Sequence, residues 1–183
     1  MTEISAPQLV ILDRDGVINF DSPDYIRSPD DWRPLPGALE AIGRLNAANR
    51  TVVVATNQSG IGRALFSEET LSDIHQKMLL AAQSAGAVID RIYYCPHAPW
   101  AGCECRKPRP GLLLQAQLDY SVKASEVVFI GDHLSDVHAA LNAGMQPVLV
   151  GDAETKPVDA AIPRLPDLGA AVDALLADEE IGP

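Results

Sequence analysis

The sequence predicts an α/β fold, a doubly wound (Rossmann-like) parallel sheet in three layers. Three observations predict it. Apolar runs rich in β-branched residues recur at 8–13, 51–56 and 127–131 without polar alternation, as in strands buried on both faces. Helical segments separate these runs, and such βαβ alternation implies a parallel sheet covered by helices on both faces. Each run ends in small, amide or acidic residues, and open α/β sheets bind ligands at the carboxyl ends of their strands.

The first strand, 8–13, delivers Asp13-Arg14-Asp15-Gly16. Side chains alternate along an extended chain, so Asp13 and Asp15 share one side, an arrangement that suits a carboxylate nucleophile beside a carboxylic acid. A buried strand running into an acidic turn would read the same way, and three further segments separate the two. A proline- and aspartate-rich loop over 20–36, with Tyr25, Arg27 and Trp32, forms the expected flap, its aromatics read as loop anchors, and Pro36-Gly37 opens a helix near 37–49. The strand 51–56 ends in Thr56-Asn57-Gln58-Ser59-Gly60, which offers donors without bulk to a tetrahedral phosphate. A glycine loop leads to a helix over 67–85, where Ser67 before Glu68 and Glu69 is the N-cap and Gly86 the stop. A strand at 88–95 precedes a cysteine loop. In Arg106-Lys107-Pro108-Arg109-Pro110 the first proline holds Lys107 extended, and Pro110 fits the first turn of a helix near 110–119. The strand 127–131 ends in Asp132 and, four residues on, Asp136; a helix near 134–143 closed by Gly144 and a strand at 147–150 follow. The segment 152–166 reads as a loop with three prolines, and 167–176 as a last packing helix. Asp13, Asp15, Asp132 and Asp136 converging without a cation would repel one another, so the set implies a hard metal, Mg²⁺, balanced further by the Lys107 ammonium.

The chain of 183 residues is one domain's worth, 1–183, and its 47% hydrophobic and 21% charged residues are ordinary for a globular protein. A net charge of −11 argues against nucleic-acid binding. The N-terminus lacks a basic region followed by an apolar core, and no run reaches membrane-spanning length, so a cytoplasmic location, no membrane partner and a monomer are expected. All three cysteines fall in one loop: Cys95-Pro96-His97, five intervening residues, then Cys103-Glu104-Cys105. An odd, clustered set argues against a disulfide framework, whereas C-x-H with C-x-C supplies four ligands for a tetrahedral Zn²⁺. Four protein ligands leave no open position, so this zinc is structural and pins the loop 95–107 ahead of Arg106 and Lys107.

These segments, in this order, resemble the four motifs of the haloacid dehalogenase-like phosphatase superfamily over roughly residues 8–150. The resemblance implies that Asp13 attacks phosphorus to form an aspartyl phosphate and that Asp15 protonates the leaving oxygen and then deprotonates water. It implies Mg²⁺ held by Asp13, the backbone carbonyl of Asp15 and Asp132, with Thr56 and Lys107 gripping the phosphoryl group and Asn57 and Arg106 alongside. Asp136 orients either Lys107 or the metal's water shell, and Arg14 points away and packs elsewhere. The stretches between Gly16, Thr56 and Lys107 are filled by core elements, so the chain is similar to the capless members.

The zinc loop resembles two branches of the superfamily, the D-glycero-D-manno-heptose 1,7-bisphosphate phosphatases and the bacterial histidinol-phosphate phosphatases. A bisphosphate needs a second anion site, which Ser59-Gly60-Ile61-Gly62-Arg63 offers through backbone N–H groups and the Arg63 guanidinium, with Arg109 near the same rim. The first branch is therefore favoured. It implies a small phosphorylated sugar as substrate and removal of the 7-phosphate, a step toward nucleotide-activated heptose for lipopolysaccharide core synthesis; histidinol phosphate is the alternative. His133 departs from the lysine of some heptose bisphosphate phosphatases, so a substrate role is not favoured for it, and His75 and His138 read as ordinary surface or core residues. A response-regulator receiver domain would lack Asp15, and a zinc-based interaction module would leave the four carboxylates unexplained.

Overall fold

Strand β1 (Leu9–Leu12) is fully buried and pairs on one side with β2 (Thr51–Asn57) and on the other with β4 (Val127–Gly131). The computed structural model describes residues 8–151 and 159–177. With β3 (Arg91–Cys95), β5 (Gln146–Val150) and β6 (Arg164–Leu165) the strands form one sheet in the order β3-β2-β1-β4-β5-β6, parallel at every pairing.

Strand alternation divides the core in two. Val10, Leu12, Val52, Val54, Val128 and Ile130 face one side, where α1 (Ala38–Ala47), α3 (Glu68–Ser84) and α6 (Leu168–Ala177) contribute Ile42, Leu45, Ile74, Met78, Val172 and Leu175. Leu9, Ile11, Val53, Ala55, Val127 and Phe129 face the other, against Leu112, Leu113 and Ala116 of α4 (Gly111–Tyr120) and Ala139 and Ala140 of α5 (Leu134–Asn142). The result is the three-layer, capless arrangement read from the sequence. Ser67 caps α3, its hydroxyl accepting from the Thr70 N–H at 3.1 Å, and Gly86 follows the helix with φ +75°. Trp32 anchors the 20–36 loop, 1% exposed, with Nε1 donating to Asn19 Oδ1 at 2.9 Å.

Three readings need correction. The expected loop 152–166 contains β6, which pairs Leu149 with Arg164 and Val150 with Leu165; two residues between Pro163 and Pro166 are too short to give a periodic signal. Residues 152–158 of that loop lie outside the described residues. The glycine loop after β2 includes a helical turn, α2 (Ser59–Gly62), and the strand expected from 88 begins at Arg91, after the Asp90 N–H donates to Val52 O at 2.8 Å. Among the described residues no helix is long and apolar enough to cross a membrane.

Candidate active site

At the carboxyl edge of β1, β2 and β4, a cavity of 240 Å³ is lined by Asp13, Asp15, Thr56, Asn57, Lys107, Asp132 and Asp136. Asp13 directly follows β1, and its Oδ1 accepts from the Arg14 backbone N–H at 2.7 Å and from Lys107 Nζ at 2.8 Å. Both donors address the same oxygen. Lys107 is 3% exposed, and its ammonium also meets Asp136 Oδ1 at 2.8 Å and Ala55 O at 2.9 Å, so three acceptors match its three protons. Asn57 fixes the backbone of Lys107 at two points, donating to its carbonyl at 3.2 Å and accepting from its N–H at 3.1 Å. Of the two roles open to Asp136, the geometry shows contact with Lys107; its Oδ2 accepts from the His133 N–H at 3.1 Å, completing the N-terminal cap of α5. His133 itself caps that helix, Nδ1 accepting from the Ser135 N–H at 3.2 Å.

Carboxylate oxygens of Asp13, Asp132 and Asp136 lie within 4.8 Å of one another. Burial pushes the Asp13 carboxyl up to about 8; Lys107 opposes this, and Asp136 and Asp15 add to it. A divalent cation would relieve that excess of negative charge, and a glycine lets the backbone pass close to one of the carboxylates. Gly16 has φ +79°, and a Cβ there would stand 2.3 Å from Asp132 Oδ2.

Arg14 does not pack elsewhere. Its side chain is buried and clasps Asp15, with Nε and Nη2 donating to Oδ1 at 3.1 and 2.9 Å and Nη2 to Oδ2 at 3.0 Å. Asn19 Nδ2 adds a bond to Asp15 Oδ1 at 2.9 Å. Sequence reasoning missed both partners, because an arginine between two aspartates gives no sign of which way it turns. It also missed Gln58, although a residue two places beyond Thr56 on a strand end faces the same side. Asp21, Ser22, Tyr25 and Ile26 bring the flap to the cavity wall. His75 is buried and pushed down to about 3 by burial and then by Arg14, in keeping with its reading as a neutral core residue, and His138 is exposed.

Two predicted residues lie away from this cavity. The Arg63 guanidinium stands over the Trp100 ring, 4.9 Å from its centroid. Arg106 lines an adjoining 200 Å³ cavity with Lys107 and Arg109, and its buried Nη1 has no hydrogen-bond partner among the described residues. Arg109 is engaged by the loop itself, donating to Gly102 O at 2.6 Å and also to Cys103 O.

The four loop ligands converge. Cys95 Sγ is 3.1 Å from Cys105 Sγ and 3.6 Å from Cys103 Sγ, and His97 Nδ1 is 3.2 Å from Cys105 Sγ. A tetrahedral zinc site with Zn–S near 2.3 Å has edges of about 3.8 Å, so this spacing and donor set fit zinc with small adjustment. Burial and the neighbouring thiols push Cys95 up to about 12, a proton that a metal would displace.

A family model described as HAD-hydrolase-like matches residues 104–176. The chain is 45% identical over 177 residues to the D-glycero-beta-D-manno-heptose-1,7-bisphosphate 7-phosphatase of Bordetella bronchiseptica, covering 93% of this chain and 99% of that protein. It is 44% identical over 173 residues to the Pseudomonas aeruginosa protein of the same name, covering 92% and 97%. The crystal structure of the B. bronchiseptica D,D-heptose 1,7-bisphosphate phosphatase, complexed with magnesium and phosphate, superposes with a TM-score of 0.89 at 45% identity, over 93% of this chain and 99% of that one.

Proposed function

This chain belongs to the D-glycero-D-manno-heptose-1,7-bisphosphate 7-phosphatases of the haloacid dehalogenase-like hydrolases, and we propose that it removes the 7-phosphate of the heptose bisphosphate through an aspartyl phosphate on Asp13. The observation that carries the mechanism is the one-sided anchoring of Asp13. Its Oδ1 is held by Arg14 N–H and Lys107, which leaves Oδ2 to attack phosphorus. As the P–O7 bond breaks, Asp15 gives its proton to O7; it then takes a proton from the water that attacks the aspartyl phosphate, releasing inorganic phosphate. Thr56 donates its hydroxyl to the phosphoryl oxygens. Lys107 acts first by fixing and neutralising Asp13, and keeps its protons while turning one N–H hydrogen bond from Asp13 to the phosphoryl group once that group occupies the cavity. Magnesium, which the acidic set fits and which Asp13, Asp132 and the Asp15 carbonyl would hold, supplies positive charge between nucleophile and phosphoryl oxygens.

Zinc on Cys95, His97, Cys103 and Cys105 is structural in this reading, and its thiol-rich ligand set suits a reducing cytoplasm. The 1-phosphate is assigned to Arg63 and to Arg106, which lines the adjoining cavity beside Lys107. The groups the mechanism uses all come from one chain, so the site as read needs no second copy, and a monomer is the proposed state. Histidinol phosphate is not favoured, since the relatives carry the heptose activity in their names, and those named above specify the β-anomer. The deciding experiment is kcat/KM for the β- and α-heptose bisphosphates and for histidinol phosphate. The β-bisphosphate should lead, and preference for histidinol phosphate would overturn the reading.

A further inference from the structure

Gln58 takes no part in the mechanism above, yet its side chain is 4% exposed and its carboxamide joins two groups that do. Nε2 lies 2.9 Å from Thr56 Oγ1 and 3.1 Å from Asp15 Oδ2. In its ionised form, the one that takes a proton from water, Asp15 only accepts, so the group turned toward its Oδ2 is the NH₂, and the two amide hydrogens match the two acceptors. Two consequences follow from that count. Thr56 Oγ1 accepts from Gln58, so the hydroxyl's own proton is turned away from Gln58 and is free to serve the cavity that Thr56 lines. Asp15, already clasped by Arg14 and bonded by Asn19, gains through Gln58 a tie to β2, which fixes its carboxyl plane relative to the phosphate pocket. The backbone of Gln58 is itself immobilised, its N–H donating to Cys95 O at 2.8 Å, at the first residue of the zinc loop.

We propose that Gln58 is a positioning residue for hydrolysis: its carboxamide aims the Thr56 hydroxyl at the phosphoryl group and holds the Asp15 carboxyl in line with the leaving oxygen. This rests on Asp15 being the acid and base. The test compares kcat/KM, which covers steps up to departure of the leaving group, on a primary alkyl phosphate and on p-nitrophenyl phosphate. The alkyl ester needs a proton from Asp15, whereas nitrophenolate leaves without one. Gln58→Met should lower kcat/KM about 30-fold on the alkyl ester and about 3-fold on the aryl ester, a contrast that is part of the 10²–10⁴ available to acid–base catalysis. Inhibition by inorganic phosphate should weaken about 5-fold, as for one lost hydrogen bond. Gln58→Glu, of equal volume, should show the same contrast and separates chemistry from packing. Equal losses on both esters, or full activity with a lowered Tm, would overturn the proposal. Asp15→Asn measured alongside keeps the two readings apart. If it shows no contrast, the acid–base reading fails; if it shows contrast and the Gln58 variants do not, only the role of Gln58 fails.

Discussion

Asp13 and Lys107 illustrate how a buried ion pair can serve chemistry rather than stability. The ammonium meets two carboxylates and a carbonyl, yet burial of the Asp13 carboxyl, helped by Asp136 and Asp15, outweighs Lys107 and holds Asp13 well above the ordinary carboxylate range in the metal-free protein. Asp13→Asn should abolish turnover by about three orders of magnitude or more, since an amide is no nucleophile. It should also raise Tm in the absence of magnesium, where each kcal/mol of relieved repulsion is about 2–4 °C for a chain of this size. Steady-state kinetics and a thermal melt check the two halves. Between its ordinary 3.8 and about 8, Asp13 binds more proton in the native than in the unfolded state. Stability of the metal-free protein should therefore fall as pH rises through that window, and added Mg²⁺, which favours the carboxylate, should flatten the slope. Melting curves from pH 5 to 8.5 with and without Mg²⁺ decide this. Much of this site was legible as residue types: Asp13, Asp15, Thr56 and Asp132 sit at or just past strand ends marked by the apolar runs before them, and Lys107 was marked by the proline after it. What stayed hidden was orientation. The turn of Arg14 toward Asp15, and the stacking of Arg63 on Trp100 outside the catalytic cavity, depend on rotamers and loop paths that residue spacing does not encode.

Among the elements, the 95–107 loop is tied to the end of β2 at both of its ends. Gln58 and Gly62 donate backbone N–H groups to Cys95 O and Pro96 O, each at 2.8 Å, and the Asn57 amide clasps Lys107. The approach at Gly62 is close: a Cβ there would stand 2.5 Å from the Ala98 nitrogen. The loop thus delivers Lys107 to the cavity, and its geometry decides where that side chain enters. Purified protein should contain about one zinc per chain. Cys103→Ser should lose that zinc and, with Mg²⁺ present, lower kcat by about tenfold or more while far-ultraviolet circular dichroism stays near the parent's, because the sheet does not depend on the loop. Elemental analysis paired with kinetics tests this, and full activity in a zinc-free variant would contradict it. The cysteine and histidine spacing made the cluster readable in advance. The short strand at Arg164–Leu165 was not, because its two residues gain their strand character only from pairing with β5.

At the scale of the whole molecule, alternation within β1, β2 and β4 directs successive side chains into two separate cores, which is why unbroken apolar runs sufficed to read a doubly covered sheet. The order of the strands was less accessible, since nothing local in a parallel strand names its neighbours. That order has a kinetic consequence. The strand bearing Asp13 finds its partners at residues 51–54 and 127–130, so the groups needed for turnover meet only after most of the chain has been gathered by distant contacts. Partly folded forms can hold helices and still lack a site. During refolding from denaturant, phosphatase activity should return after helical circular dichroism and together with burial of the central sheet, with no early fraction of active molecules. Catalysis in this chain is then a reporter of completed topology, and a destabilising substitution anywhere in the sheet should lower the number of active molecules before it alters the rate at which each one works.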